Sequence, residues 1–223
     1  HLISTKDEGG YRTLLGELLE INPKLRVIGL TATPYRLGHG YITENGGLFD
    51  ALIEPVRIQE LIEGGYLAPL QSKQTGTELS VENVGKKGGE YIESELQRAV
   101  DTEDQNVAVV EEVIARAGDR KAWLFFCAGV DHAMHVRDVL ERRGIAAACV
   151  VGTTPKDERE RILEDFKAGK IRALTNANVL TTGFDYPDID LLAMLRPTMS
   201  EGLYVQMAGR GMRIKSHTDH CLV

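Results

Sequence analysis

A chain of 223 residues with an apolar share of 43% has room for one large globular domain, or for one and a half smaller ones. Its net charge of −7 excludes a global basic field, so any polyanion site must be a local cluster on an acidic protein. Cys127, Cys149 and Cys221 stand far apart with no CxxC pair, which argues against a disulfide framework or a zinc site, and no apolar run nears the roughly 20 residues of a membrane span. With no signal-peptide pattern at the N-terminus, the expectation is a soluble cytoplasmic protein in a reducing compartment, with no membrane partner and no metal site of its own.

The chain starts abruptly at His1-Leu-Ile-Ser, without an initiator Met. Leu14, Leu15, Leu18 and Leu19 follow at helical spacing, and Asn22-Pro23 ends that helix. Leu25 to Leu30 is a short apolar run that reads as a buried strand. It leads into Thr31-Ala-Thr-Pro34, two hydroxyls at a strand's carboxyl end, where ligands sit in open α/β folds. A Ser/Thr turn would use the same residues. Residues 38–47 read as an exposed loop, and Ile58 to Ile62 as a short helix closed by Gly64, Gly65 and Pro69. That cluster places a boundary between residues 1–66 and 67–223. Residues 83–90, with Lys86 and Lys87, read as a hairpin tip or insertion whose lysines are solvated.

Beyond Glu90 the pattern alternates. Residues 104–117 carry Val107, Val110, Val113 and Ile114 on one helical stripe. Ala122 to Cys127 is a continuous apolar strand. Asp131 is placed to cap a helix whose stripe includes Ala133, Val136, Val139 and Leu140, and Gly144 ends it. Ile145 to Val151 is the next strand. Thr154-Pro155 opens a helix, with Pro at its first position, that buries Ile162, Leu163 and Phe166 and ends at Gly169. Ile171 to Thr175 and Leu191 to Leu195 add two strands, and residues 217–223 begin another. Strands separated by helices of 10–15 residues predict an α/β fold, a parallel sheet wrapped on both faces.

Tyr204 to Arg213 sets Gln206, Arg210 and Arg213 at i, i+4 and i+7, one face if the stretch is helical. Gly209 and Gly211 bracket Arg210 and weaken such a helix by roughly 1 kcal/mol each relative to alanine. Bare glycines between guanidiniums suggest the close approach of a phosphate. A solvated basic helix end is the alternative.

Thr31-Ala-Thr-Pro34, Thr175 to Asp185 and Gln206 to Arg213 together resemble the superfamily 2 DEAD/DEAH-like helicases and translocases. In that family a TAT-type motif closes the first RecA-like domain, and a motif ending in Gly-x-Asp and a Q/H-x-x-G-R-x-x-R motif lie in the second. Phe125-Phe-Cys127 and Gly152 to Arg159, followed by Phe166-Lys-Ala-Gly169, are similar to two further family segments. The stretches Gly29 to Gly38, Val179 to Asp185, Leu195-Arg-Pro-Thr198 and Tyr204 to Arg213 look most like the RadD-type DNA-repair ATPases. A restriction-enzyme translocase subunit carries a similar pattern.

The resemblance implies a complete second RecA-like domain preceded by the C-terminal part of a first. No G-x-x-x-x-G-K-[ST] loop is present, and His1 matches the last letter of a DEAH box. The expectation is therefore a C-terminal piece that turns over no ATP by itself, the Mg²⁺ ligands lying in the part that precedes it. By family position Arg213, Arg210 and Gln206 are the catalytic set, with Arg213 reaching the γ-phosphate. Gly183, Asp185 and Gly209 join Arg210 and Arg213 at the ATP, with Asp185 on the ribose or on a finger arginine. Thr31, Thr33, Gly152, Arg159 and Thr175 fall along the nucleic-acid backbone or couple it to the ATP cleft. The implied partner is nucleic acid, DNA before RNA, gripped through phosphates, together with DNA-repair proteins. A RecA-like module that docks without catalysis is the alternative of a different class.

Overall fold

The computed structural model describes residues 10–31, 33–36, 40–44, 49–53, 56–73, 75–181 and 183–223. The reading of His1, half of the 38–47 loop, Ala32 and Thr182 lie outside them. The chain divides into two compact units, His1–Pro55 and Val56–Val223. Among the described residues no helix is long and apolar enough to cross a membrane.

In the first unit the leucine pattern forms helix α1, Gly10–Ile21, with no buried residue. Strands β1 (Tyr35–Arg36) and β2 (Gly40–Tyr41) pair antiparallel. The strand expected over Leu25–Leu30 is absent. Ile28 and Leu30 are 85% and 96% exposed. A strand needs a neighbour for its ladder, and none of the described residues supplies one.

The second unit begins with α2 (Ile58–Glu63) and β3 (Leu70–Gln71). A hairpin follows, β4 (Lys86–Lys87) and β5 (Glu90–Tyr91), leading to α3 (Glu93–Val100) and α4 (Glu103–Ala117). Then come β6 (Trp123–Cys127), α5 (Val130–Arg142), β7 (Ala147–Val150) and α6 (Lys156–Lys167). The chain finishes with β8 (Ala173–Asn176), β9 (Leu191–Leu195), α7 (Glu201–Ala208) and β10 (Cys221–Leu222). Six strands form one parallel sheet in the order β3-β10-β9-β6-β8-β7.

β6 lies inside that sheet between β9 and β8, so all five of its residues are buried. A strand covered on both faces reads as an uninterrupted apolar run, which Trp-Leu-Phe-Phe-Cys is. Its side chains alternate. Trp123, Phe125 and Cys127 pack with Val109 and Val110 of α4 and with Val136 and Leu140 of α5. Leu124 and Phe126 pack with Phe166 of α6 and Met207 of α7 on the opposite side. Gly144 and Gly169 both take φ +75, the left-handed geometry expected where a helix stops. Two caps differ from expectation, the first by two positions and the second by one. Gly129 precedes α5, leaving Asp131 in its first turn to accept from Gln97 at 2.9 Å, and Pro155 stands just before α6.

Candidate functional site

β8 ends on Asn176, a polar residue with no exposure. Its amide donates to the Phe125 carbonyl at 2.9 Å, and its carbonyl oxygen accepts the Leu180 N–H at 3.2 Å. One side chain thus ties the central strand to the loop that leaves β8. That loop includes two left-handed residues, Asn178 (φ +60) and Gly183 (φ +76). Asn178 is held by a donor from Arg196 and gives its own amide to Glu93 at 3.0 Å.

Ser200 caps the start of α7, its hydroxyl accepting the Leu203 N–H at 3.2 Å. The helix stops at Ala208. Beyond it the backbone tightens: Arg210 N–H reaches Met207 at 3.1 Å, and Gly211 N–H reaches Ala208 at 3.0 Å. Gln206, Arg210 and Arg213 therefore do not share the face of one helix, as their spacing predicted. Gln206 stays in the last turn, half-buried, while the arginines leave in different directions. The role expected of the glycines is also corrected. A Cβ at Gly211 would lie 2.7 Å from Cys221 Sγ and 2.9 Å from Leu192 Cδ1, so the close approach there is to the sheet. At Gly209, which keeps helical geometry, it would lie 3.1 Å from the Val205 carbonyl.

Arg210 turns into the protein. Its guanidinium donates to the carbonyl of Phe184 and, at 2.6 Å, to that of Thr181. Burial pulls its pKa down, against an opposing pull from Asp185. Asn176 and Arg210 grip the same loop from opposite ends. Arg213 stays outside. Its Nε lies 3.0 Å from Asp185 Oδ1, with the two side chains 52% and 59% exposed. Behind it, the buried Lys215 ammonium donates to the carbonyls of Gly211 at 2.5 Å and Arg213 at 2.7 Å, fixing the turn that carries the arginine.

The remaining residues lie apart. Thr33 N–H donates to Thr31 Oγ1 at 3.0 Å, the Ser/Thr turn, within the first unit. Gly152 is exposed in the turn after β7, and Arg159 closes that turn by donating to the carbonyls of Val151 at 3.2 Å and Thr154 at 3.3 Å. Thr175 has no exposure, and its hydroxyl donates to the Ala133 carbonyl at 2.8 Å. That side chain is a core contact, so the expectation that it meets a nucleic-acid backbone does not fit its position.

Asn176 lies inside the Thr175–Asp185 motif without an assigned role and Lys215 and Glu90 fall outside every motif, although the two polar residues that close β8 were a readable signal. The chemistry on offer is a half-exposed guanidinium on a rigid turn, which suits a phosphate. Among the described residues no group of three His, Cys, Asp or Glu could hold a metal ion.

Residues 105–215 match the model of the helicase conserved C-terminal domain. The chain is 30% identical over 210 residues to a 51.5 kDa protein of a Lactococcus phage (isolate 7-9), covering 93% of this chain and 45% of that protein. It is 32% identical over 202 residues to the putative mitochondrial ATP-dependent helicase irc3 of Schizosaccharomyces pombe, covering 90% and 32%. The chain thus spans under half the length of these curated relatives. A solved fragment of a putative HsdR subunit of a type I restriction enzyme from Vibrio vulnificus YJ016 superposes with a TM-score of 0.55 at 21% identity, over 73% of this chain and 32% of that one.

Proposed function

Proceeding from a superfamily 2 helicase C-terminal domain over residues 105–215, we propose that this chain supplies the phosphate-facing arginine of a nucleic-acid-dependent ATPase motor. The observation that carries the reading is the division of labour between the two arginines. Arg210 is committed to loop carbonyls, which leaves Arg213, exposed and aimed by Asp185, as the residue that meets the nucleotide. In hydrolysis a guanidinium there offsets the charge that builds on the equatorial oxygens of the transferred phosphoryl group. Gln206 and Gly209 hold the end of α7 that sets this turn, and Gly183 keeps the Asp185 loop in its left-handed bend. Arg210 acts as a positioning residue.

In this reading residues 67–223 are the second RecA-like domain and residues 1–66 belong to the C-terminal part of a first, with Ile58–Glu63 as connector. Mg²⁺, held by groups outside this chain, would orient and polarise the phosphates. Nucleic acid lies along the turn carrying Gly152 and Arg159, gripped through phosphates, with Thr31 and Thr33 coupling that track to ATP. DNA is the favoured strand, in a cytoplasmic repair role of the RadD type.

ATP turnover by the longer protein that contains this chain, measured with DNA, with RNA and with neither, tests the proposal. The expected result is stimulation by DNA beyond that by RNA, and polynucleotide binding that weakens steeply with salt. Polynucleotide binding with no ATP turnover under any condition would leave only a docking module.

A further inference from the structure

The β4–β5 hairpin reaches, 110 residues along the chain, the segment that leads into α7. Its turn is tight: Gly88 and Gly89 take φ +62 and +86, the pattern of a two-residue type I′ loop. Lys86 lies 5.6 Å over the Tyr91 ring on the paired strand, and Ile92 N–H donates to Gly85 at 2.9 Å. At the hairpin's base stands Glu90, whose carboxylate receives four donors. One oxygen accepts the N–H groups of Tyr91 at 2.9 Å and Met199 at 3.0 Å. The other accepts the Thr198 hydroxyl and the Ser200 N–H at 3.2 Å. Burial would raise this carboxyl's pKa, but the hydrogen bonds prevail and hold it below the ordinary range. The group is thus held ionised.

Thr198, Met199 and Ser200 are the three residues before α7. At about 1.5 Å per residue, the eight residues of α7 span roughly 12 Å between that bracket and the arginine turn. Met207 and Ala208 anchor the far end in the core. Two anchors fix a helix axis, and Glu90 is the one that motif matching does not include. We propose that Glu90 is a positioning residue for ATP hydrolysis, its carboxylate setting the direction of α7 and through it the reach of Arg213. This rests on the reading of Arg213 as the phosphate-facing arginine.

Glu90→Gln tests it, because an amide NH₂ replaces an acceptor on one side or the other and turns a donor toward two donors. The variant belongs in a double-mutant cycle with Arg213→Ala, in the longer protein, with kcat and KM for ATP both read. Glu90→Gln alone should lower kcat by roughly ten- to a hundredfold, the scale of a misplaced catalytic group, with KM within about twofold. In the Arg213→Ala background the same change should cost less than about a further twofold, because the group being aimed is gone. An unchanged kcat in Glu90→Gln, or an equal loss in both backgrounds, overturns the proposal while the Arg213 reading stands. An unchanged kcat in Arg213→Ala alone overturns the reading beneath it, and the proposal with it. Should Glu90→Gln fail to fold, Thr198→Val, which removes one of the four donors, decides by the same cycle.

Discussion

Arg213 and Asp185 meet across 3.0 Å while more than half of each side chain faces solvent. An exposed pair of this kind contributes little to stability, typically about 0–1 kcal/mol. Its consequence is directional: it holds a guanidinium in one place without burying it. Asp185→Asn should therefore leave the thermal unfolding midpoint nearly unchanged while lowering ATP turnover of the longer protein by roughly ten- to a hundredfold. Calorimetry and steady-state kinetics on the same preparation check both halves.

Arg210 gives the opposite prediction. Replacing it with methionine strips the Thr181 and Phe184 carbonyls of their donor inside the protein. Leaving buried acceptors unmet costs about 1–3 kcal/mol, and each kcal/mol lowers the midpoint by roughly 2–4 °C in a domain of this size. Arg210→Met should show that loss in thermal unfolding, with faster proteolysis between Ala177 and Asp185.

Gly211→Ala separates packing from ligand contact. Its Cβ would press on Cys221 and Leu192, and overpacking of this kind costs about 1–3 kcal/mol. The expected outcome in denaturant unfolding is that loss, with nucleotide affinity per folded molecule unchanged. A variant of full stability and weakened nucleotide binding would return the glycine to the phosphate.

His132 predicts a pH dependence. It is 1% exposed and accepts the Ala128 N–H at 3.2 Å, and burial lowers its pKa from 6.5 to about 4. The unfolded chain therefore takes up a proton before the folded one does. Stability should fall as pH drops from about 6.5 toward 4 and be flat in this respect above that window. At about 1.4 kcal/mol per pKa unit, the loss approaches about 3 kcal/mol. Denaturant unfolding at pH 7.5 and pH 4.5 should show this difference, much reduced in His132→Leu.

The parallel sheet was legible because β6 and β9 are buried on both faces, which writes them as apolar runs, and because Gly144 and Gly169 mark helix ends. The same apolarity misled at Leu25–Leu30, since a run predicts a strand only where a neighbour exists to pair with it. Arg210 and Arg213 were legible as chemistry but not as geometry. A spacing of three cannot reveal that the helix ends at Ala208, or that one guanidinium turns inward while the other stays out. Gly211 looked like room for a ligand because sequence does not show that β10 passes behind it. Asn176 and Glu90 act through contacts 51 and 108–110 residues distant, and no local pattern encodes partners so remote.

The central claim is that Arg213 completes a nucleotide pocket. Its most direct measurement is single-turnover ATP hydrolysis by Arg213→Ala in the longer protein, with nucleotide affinity determined in parallel. The account predicts a loss of about 10³–10⁵ in the hydrolysis rate, the scale of an arginine finger, with binding largely retained. Hydrolysis at the unsubstituted rate would contradict it.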